Sequence, residues 1–154
     1  MYTRCPQWRN YFRSVTVHNT FFIEGREPGD LLKGLFVLPV TEQPECRPHR
    51  NVYIRDGMVV ITDRWEIQKT TQGMSCWNFT CASDIALQRC AQGWIFMRDG
   101  VPLVRMKSEL DFERYEGWVS SAYGVKKSAH GLRARTELSP AEHTIYFVPA
   151  SPCL

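Results

Sequence analysis

The stretch Asn51-Val52-Tyr53-Ile54-Arg55-Asp56-Gly57-Met58-Val59-Val60-Ile61-Thr62-Asp63-Arg64-Trp65-Glu66 decides the fold. Two runs rich in β-branched residues flank one Asp56-Gly57 pair. An Asp-Gly link of two residues signals a type I′ hairpin, because both central positions need positive φ. The same device recurs at Asp99-Gly100, between the runs Trp94 to Arg98 and Val101 to Met106. Two tight hairpins of this kind imply antiparallel sheet.

Outward from the first hairpin the period stays near two. From Arg13 to Ile23, Val15, Val17, Phe21 and Ile23 fall on one face, and Ser14, Thr16, His18 and Thr20 on the other. This predicts a half-buried strand, with Phe22 as the exception on the polar face. A loop begins at Glu24-Gly25 and runs through Pro28-Gly29-Asp30, and Leu35 to Val40 reads as a short apolar strand. Pro39, Pro44 and Pro48 make the next stretch irregular or edge-like. Met74 to Ala82 predicts a strand with Trp77 and Phe79 on the face opposite Cys76 and Asn78. Ile85 to Cys90, Glu116 to Tyr123, Gly131 to Glu137 and Thr144 to Val148 complete the series. Ser108 to Tyr115 alternates less cleanly; Leu110 and Arg114 stand four apart, which suits a helical turn, but no caps match. About ten short strands at turn spacings of roughly 8–12 residues predict an all-β antiparallel sandwich. No fixed-period repeat is visible, which disfavours a propeller or solenoid. No linker divides the chain, so residues 1–154 read as one domain.

Composition narrows the function classes. The 154 residues, 44% hydrophobic and 23% charged, suit a folded domain that buries roughly 70% of its unfolded surface. Nineteen Lys and Arg against sixteen Asp and Glu leave a net charge of +3. The basic residues are scattered, which argues against nucleic acid. No apolar run approaches the ~20 residues of a membrane helix. The opening Met1-Tyr2-Thr3-Arg4-Cys5-Pro6 has no apolar h-region, so no signal peptide is expected in this chain.

Six cysteines, Cys5, Cys46, Cys76, Cys81, Cys90 and Cys153, fall far below the density of a disulfide scaffold. No two pairs have zinc-finger spacing. Cys76 and Cys81 are an odd number of residues apart, so a strand would point them to opposite faces. All six read as buried or incidental thiols. The glycosylation triplet Asn78-Phe79-Thr80 sits between core aromatics and reads as incidental too.

Motifs for phosphate loops, nucleophile elbows and zinc helices are missing. His18, His49, His130 and His143 lie in different strands or loops. His18 stands out: mid-strand on a polar face, it reads as an exposed side chain, a metal ligand or a cleft residue. Aromatics are plentiful, with eight Phe, six Tyr and five Trp. Exposed indoles on a sandwich stack on sugar rings, and Trp8, Trp94 and Trp118 are the candidates.

Specific motifs then point to a family. Trp8-Arg9-Asn10-Tyr11-Phe12-Arg13-Ser14, then His18-Asn19-Thr20, then Glu24-Gly25-Arg26 resemble the β-rich part of the heparinase II/III-like polysaccharide lyases. His49-Arg50 with Asp56-Gly57 and Val59 to Asp63 resembles that family's hairpin ending in an aspartate. Trp77-Asn78-Phe79 resembles the next strand, and Trp118, Ser121, Tyr123-Gly124 and Lys126 resemble a segment near the family's C-terminus. Thr144 to Pro149 resembles the closing strand. The order holds over essentially the whole chain. One departure is Pro28-Gly29-Asp30, where family members often carry Gln.

The resemblance implies a β-domain of a lyase that cleaves acidic, uronate-containing polysaccharide such as glycosaminoglycan or alginate by β-elimination. It implies a periplasmic or secreted setting and an upstream α/α toroid as partner, with the catalytic groups mostly there. A His-x-His-x-Asp motif precedes the Tyr-Phe-Arg-Ser run in the family, and this chain starts just after it. The isolated chain is therefore expected to be catalytically incomplete, with no catalytic residue assigned. His18 matches a family zinc ligand whose other ligands lie upstream, so zinc is expected to bind the chain alone weakly or not at all. Tyr2 and Tyr11 fall near the family's cleft side without an assigned role. A sheet missing its upstream strands would leave a free edge near Tyr2 to Arg13 and the Val15 strand, favouring self-association. Two other readings stand beside this one: a non-catalytic carbohydrate-binding module, and a structural or interaction protein.

Overall fold

A computed structural model describes residues 6–27, 29–30, 38–39, 45–69, 71–122 and 125–150. It is an antiparallel β-sandwich. The strands are β1 Thr20–Ile23, β2 Gly29–Asp30, β3 Leu38–Pro39, β4 Cys46–Arg55, β5 Met58–Ile67, β6 Met74–Thr80, β7 Ala86–Cys90, β8 Gly93–Arg98, β9 Val101–Ser108, β10 Glu113–Ala122, β11 Val125–Glu137 and β12 His143–Pro149. One sheet has the order β1-β6-β11-β10 and the other β4-β5-β12-β9-β8-β7, while β2 and β3 form a small pair.

The two Asp-Gly turns behave as read. Asp56 and Asp99 each have φ of 50°, and Gly57 and Gly100 follow at 75° and 78°. Arg55 faces Met58 and Arg98 faces Val101, the tight registers a type I′ link imposes. β4 runs longer than expected, back to Cys46, and carries Pro48 opposite Trp65. The missing N–H of Pro48 is tolerated because β4 is an edge strand. Ser108 to Tyr115 forms no helix: β9 ends at Ser108 and β10 starts at Glu113. Of Leu35 to Val40, Leu38–Pro39 forms β3, and the rest lies outside the described residues, as do Tyr2 and Tyr123-Gly124.

The largest correction concerns Arg13 to Ile23, which is not one strand. Pro6–Arg13 is a helix, α1; Val15–Val17 is a 3-10 turn; only Thr20–Ile23 is sheet. Pro6 occupies the first helical position, where its missing N–H costs nothing, and Arg13 lies in the last turn, whose negative dipole end favours a cation. Trp8 and Phe12, four apart, stack with centroids 6.2 Å apart. Ser14 then caps the 3-10 turn. Its Oγ accepts from the Thr16 N–H and donates to the Glu27 carboxylate, which also accepts from the Val15 N–H. Side chains thus satisfy backbone groups that a strand would have needed a neighbour to satisfy. Phe22, the expected exception, is buried like Phe21 and Ile23. The free edges consequently differ from expectation. β1 is an edge strand of only four residues, whereas β4 is ten residues long and exposes Val52 and Ile54.

The core lies between the sheets. Phe21, Trp77, Phe79 and Leu132 come from the smaller sheet; Ile61, Trp65, Met106 and Ile145 come from the larger; Phe112 enters from the turn between β9 and β10. At its centre Asp63 of β5 is 0% exposed. Arg50 of β4 grips both Asp63 oxygens through Nε and Nη2, each at 2.6 Å. The Trp77 indole Nε1 of β6 donates to the same carboxylate at 3.0 Å. The pair therefore ties the two sheets together. Removing one partner of such a pair leaves an uncompensated buried charge. We expect Arg50→Met to lower unfolding free energy by about 3–5 kcal/mol, measured by denaturant titration. A loss under about 1 kcal/mol, the worth of an exposed pair, would show that the carboxylate is solvated.

Candidate functional site

The site grows from an overhang. β6 ends at Thr80, which is paired with Gly131 of β11. The β10–β11 hairpin continues beyond it, through Trp118↔Ser128 and Val119↔Lys127 to Ala122↔Val125. The chain leaving α1 approaches this overhang from the other side. Between them runs an open groove of about 810 Å³, lined by Phe12, Val17 to Asn19, Thr80 to Ala82 and Trp118 to Ala122.

Its inner wall is held by a polar network on the face of the smaller sheet away from the core. Strand alternation puts Trp77 and Phe79 into the core and Asn78 on the opposite face. Asn78 is 0% exposed. Its Nδ2 donates to the His18 carbonyl at 3.2 Å, and its Oδ1 accepts from Arg133 at 3.0 Å. Arg133 also donates to the Thr16 carbonyl at 2.9 Å, and its guanidinium lies 4.6 Å from the centroid of the Tyr115 ring. The Thr80 hydroxyl reaches the Val17 carbonyl at 3.0 Å and the Tyr115 hydroxyl at 2.6 Å. The Asn19 Oδ1 accepts from the Thr80 N–H at 2.6 Å. Tyr115 lies across Gly131 so closely that a Cβ there would fall 2.4 Å from the ring. Every carbonyl of the non-sheet segment Thr16 to His18 is thereby satisfied by a sheet side chain. With Asn78 enclosed in this network, the Asn78-Phe79-Thr80 triplet offers no accessible acceptor.

Of the indole candidates, Trp8 and Trp118 meet and Trp94 does not. Trp94 is buried at 9% exposure and donates Nε1 to the Phe112 carbonyl. Trp8 and Trp118 pack edge to face with centroids 5.8 Å apart, and Trp118 remains 37% exposed. Tyr11 packs edge-on to Trp8, and its hydroxyl accepts from the Trp118 N–H at 3.1 Å. The Lys126 ammonium lies over both indoles, 3.5 Å from the Trp8 centroid and 4.6 Å from that of Trp118. Residues 110 positions apart in sequence meet here, so the sequence marks each candidate without showing that they converge.

His18 is not on a strand. It follows the 3-10 turn, exposed, and lines the groove. Among the described residues no three of His, Cys, Asp and Glu come together in a way that suits a metal. Those described residues alone do not make up a four-coordinate zinc site at His18. His49 and His143 pair with Glu66 and Glu109 instead. The described cysteines, Cys46, Cys76, Cys81 and Cys90, are free thiols. Cys76 and Cys81 are buried, and burial pushes both thiols up, Cys81 to about 11.

The arrangement offers a ligand apolar ring faces, neutral hydroxyl and amide groups, one imidazole and a rim cation. Among the described residues no carboxylate lines it. No protein family and no solved structure matches this chain.

The Cys81 thiol gives a direct check on the groove wall. With its value raised from 9.0 to about 11, the thiolate fraction at pH 8 is on the order of 10⁻³. Iodoacetamide at pH 8 should spare Cys81 in the folded chain and modify it as pH approaches 11. The unfolded chain releases this proton first, so the thiol's contribution to stability is full below pH 9 and falls through about 11. Labelling of native Cys81 at pH 8 as fast as in denaturant, read by mass spectrometry, would contradict this environment.

Proposed function

We propose that this chain is the β-domain of a heparinase II/III-like polysaccharide lyase and that its groove holds an acidic polysaccharide. The observation that carries this reading is the groove's lining. Phe12 and Trp118 supply ring faces, Asn19 and Ser121 supply neutral polar groups, and among the described residues no carboxylate faces the cleft. Sugar rings stack on indole faces, their hydroxyls suit neutral partners, and their carboxylates are repelled by acids. The motifs that carry the resemblance also converge here: Tyr11-Phe12, His18-Asn19 and Trp118 to Ser121 all border or line the groove.

Eliminative cleavage removes the proton α to a uronate carboxylate and expels the 4-linked oxygen. It requires a carboxylate clamp, a base and an acid together. In this reading the groove binds and orients the polysaccharide, His18 faces it, and the toroid partner supplies the remaining groups in a periplasmic or secreted protein. A carbohydrate-binding module without lyase chemistry is the second reading, favoured by the mostly uncharged lining.

Both readings require saccharide binding, and calorimetry with a uronate tetrasaccharide tests it. Binding at micromolar to millimolar concentration is expected, weakened by Trp118→Ala. The chain alone should release no unsaturated uronate, followed by ultraviolet absorbance. Absence of binding at millimolar ligand would sink both readings. Product formation abolished by His18→Ala would make the chain a complete lyase and overturn the division of labour proposed here.

A further inference from the structure

We propose that Lys126 is a tethered anion receptor at the Trp118 end of the groove, selecting saccharides that carry a carboxylate or sulfate there. The inference rests on the reading of the groove as a saccharide site and adds the residue that selects the ligand's charge.

A surface lysine is ordinarily a poor anion site, because ordering its four-carbon stem offsets most of the Coulomb gain. Lys126 differs in being already ordered by its surroundings. Its Nζ sits 3.5 Å from the Trp8 centroid and 4.6 Å from the Trp118 centroid, against two indoles at an interplanar angle of 80°. Three separate elements hold this arrangement: α1 carries Trp8, β10 carries Trp118 and β11 carries Lys126. Tyr11 fixes the first two together by accepting from the Trp118 N–H. The indole faces attract the ammonium but leave its hydrogen-bond capacity for an acceptor, since a π face satisfies charge more than N–H geometry.

Among the described residues no carboxylate pairs with Lys126; the ion pairs lie elsewhere, at Arg50–Asp63 and Arg135–Glu24 for example. Trp118 belongs both to this cation site and to the groove lining. An anionic substituent on a sugar packed against Trp118 therefore meets a preorganised cation and, among the described residues, no opposing acid in the groove lining. Preorganisation matters because the ligand gains the contact without the ordering cost. Carboxylate and sulfate share this chemistry.

The test uses the full chain, Lys126→Met and Lys126→Arg, with three probes: a glucuronate tetrasaccharide, its carboxyl-reduced counterpart and sodium sulfate. The wild type should bind the glucuronate form about five-fold tighter than the reduced form, the scale of one exposed charge contact. Lys126→Met should abolish that preference, so that both forms bind with equal affinity; Lys126→Arg should keep it. Sulfate should shift indole emission in the wild type and in Lys126→Arg but not in Lys126→Met. A preference for the charged form that survives Lys126→Met overturns the inference. So does a sulfate response that survives it, or no sulfate response at all. If neither tetrasaccharide binds while the sulfate response depends on Lys126, the anion receptor stands and the saccharide reading falls.

Discussion

The structure depends on one buried carboxylate. Asp63 projects from β5 into the space between the sheets, where an unpaired charge would be several kcal/mol too costly to keep. Arg50, directly across the β4–β5 ladder, neutralises it with two parallel bonds, and the Trp77 indole brings the opposite sheet to the same carboxylate through Oδ2. The guanidinium also lies 5.3 Å from the Phe21 centroid and 5.9 Å from that of Phe79, so the charge is enclosed by aromatic faces. Arg50 has one further bond, from Nη1 to the Asn19 carbonyl at 2.9 Å. Asn19 in turn accepts from the Thr80 N–H. A chain of contacts thus runs from the inter-sheet ion pair to the groove wall.

That continuity explains why an irregular segment can form a wall at all. Val15 to Asn19 contributes no strand, yet each backbone carbonyl from Thr16 to Asn19 accepts from a side chain or backbone group of a neighbouring element or of its own turn. The donors are Arg133, Thr80, Asn78 and Arg50 from sheet strands, each at a fixed register position. The groove is then the corner left where β6 stops and the β10–β11 hairpin runs on. Its rim cation depends on the same geometry, since α1 can reach the hairpin only because the chain does not continue as a strand.

The fold was legible where local chemistry had a single solution. Asp56-Gly57 and Asp99-Gly100 need positive φ at both positions, and the alternation around them sorts core from surface without outside help. Alternation sets Trp77 and Phe79 opposite Cys76 and Asn78, and the core contains both aromatics. The alternation from Arg13 to Ile23 imitates a strand, whereas Ser14 and Glu27, thirteen residues apart, stabilise a capped turn there. Trp94 failed as a surface indole because its N–H finds the Phe112 carbonyl, a partner eighteen residues away. Trp118 and Lys126 stand in one motif and Trp8 in another, and their meeting depends on how α1 packs on the hairpin, a tertiary fact with no periodic signature. Arg50 and Asp63 stood inside quoted motifs, and only the register shows them to be opposite one another.

The central claim is that the corner between the α1 segment and the β10–β11 overhang is where an acidic saccharide binds. An amide and indole nuclear magnetic resonance titration with a glucuronate tetrasaccharide tests it most directly. The account requires shifts concentrated at Val17 to Asn19, Thr80 to Ala82, Trp118 to Ala122 and the indole N–H groups of Trp8 and Trp118, with the exposed Val52 to Ile54 edge unmoved. Shifts concentrated on that β4 edge, or spread over the surface with the groove silent, would contradict it.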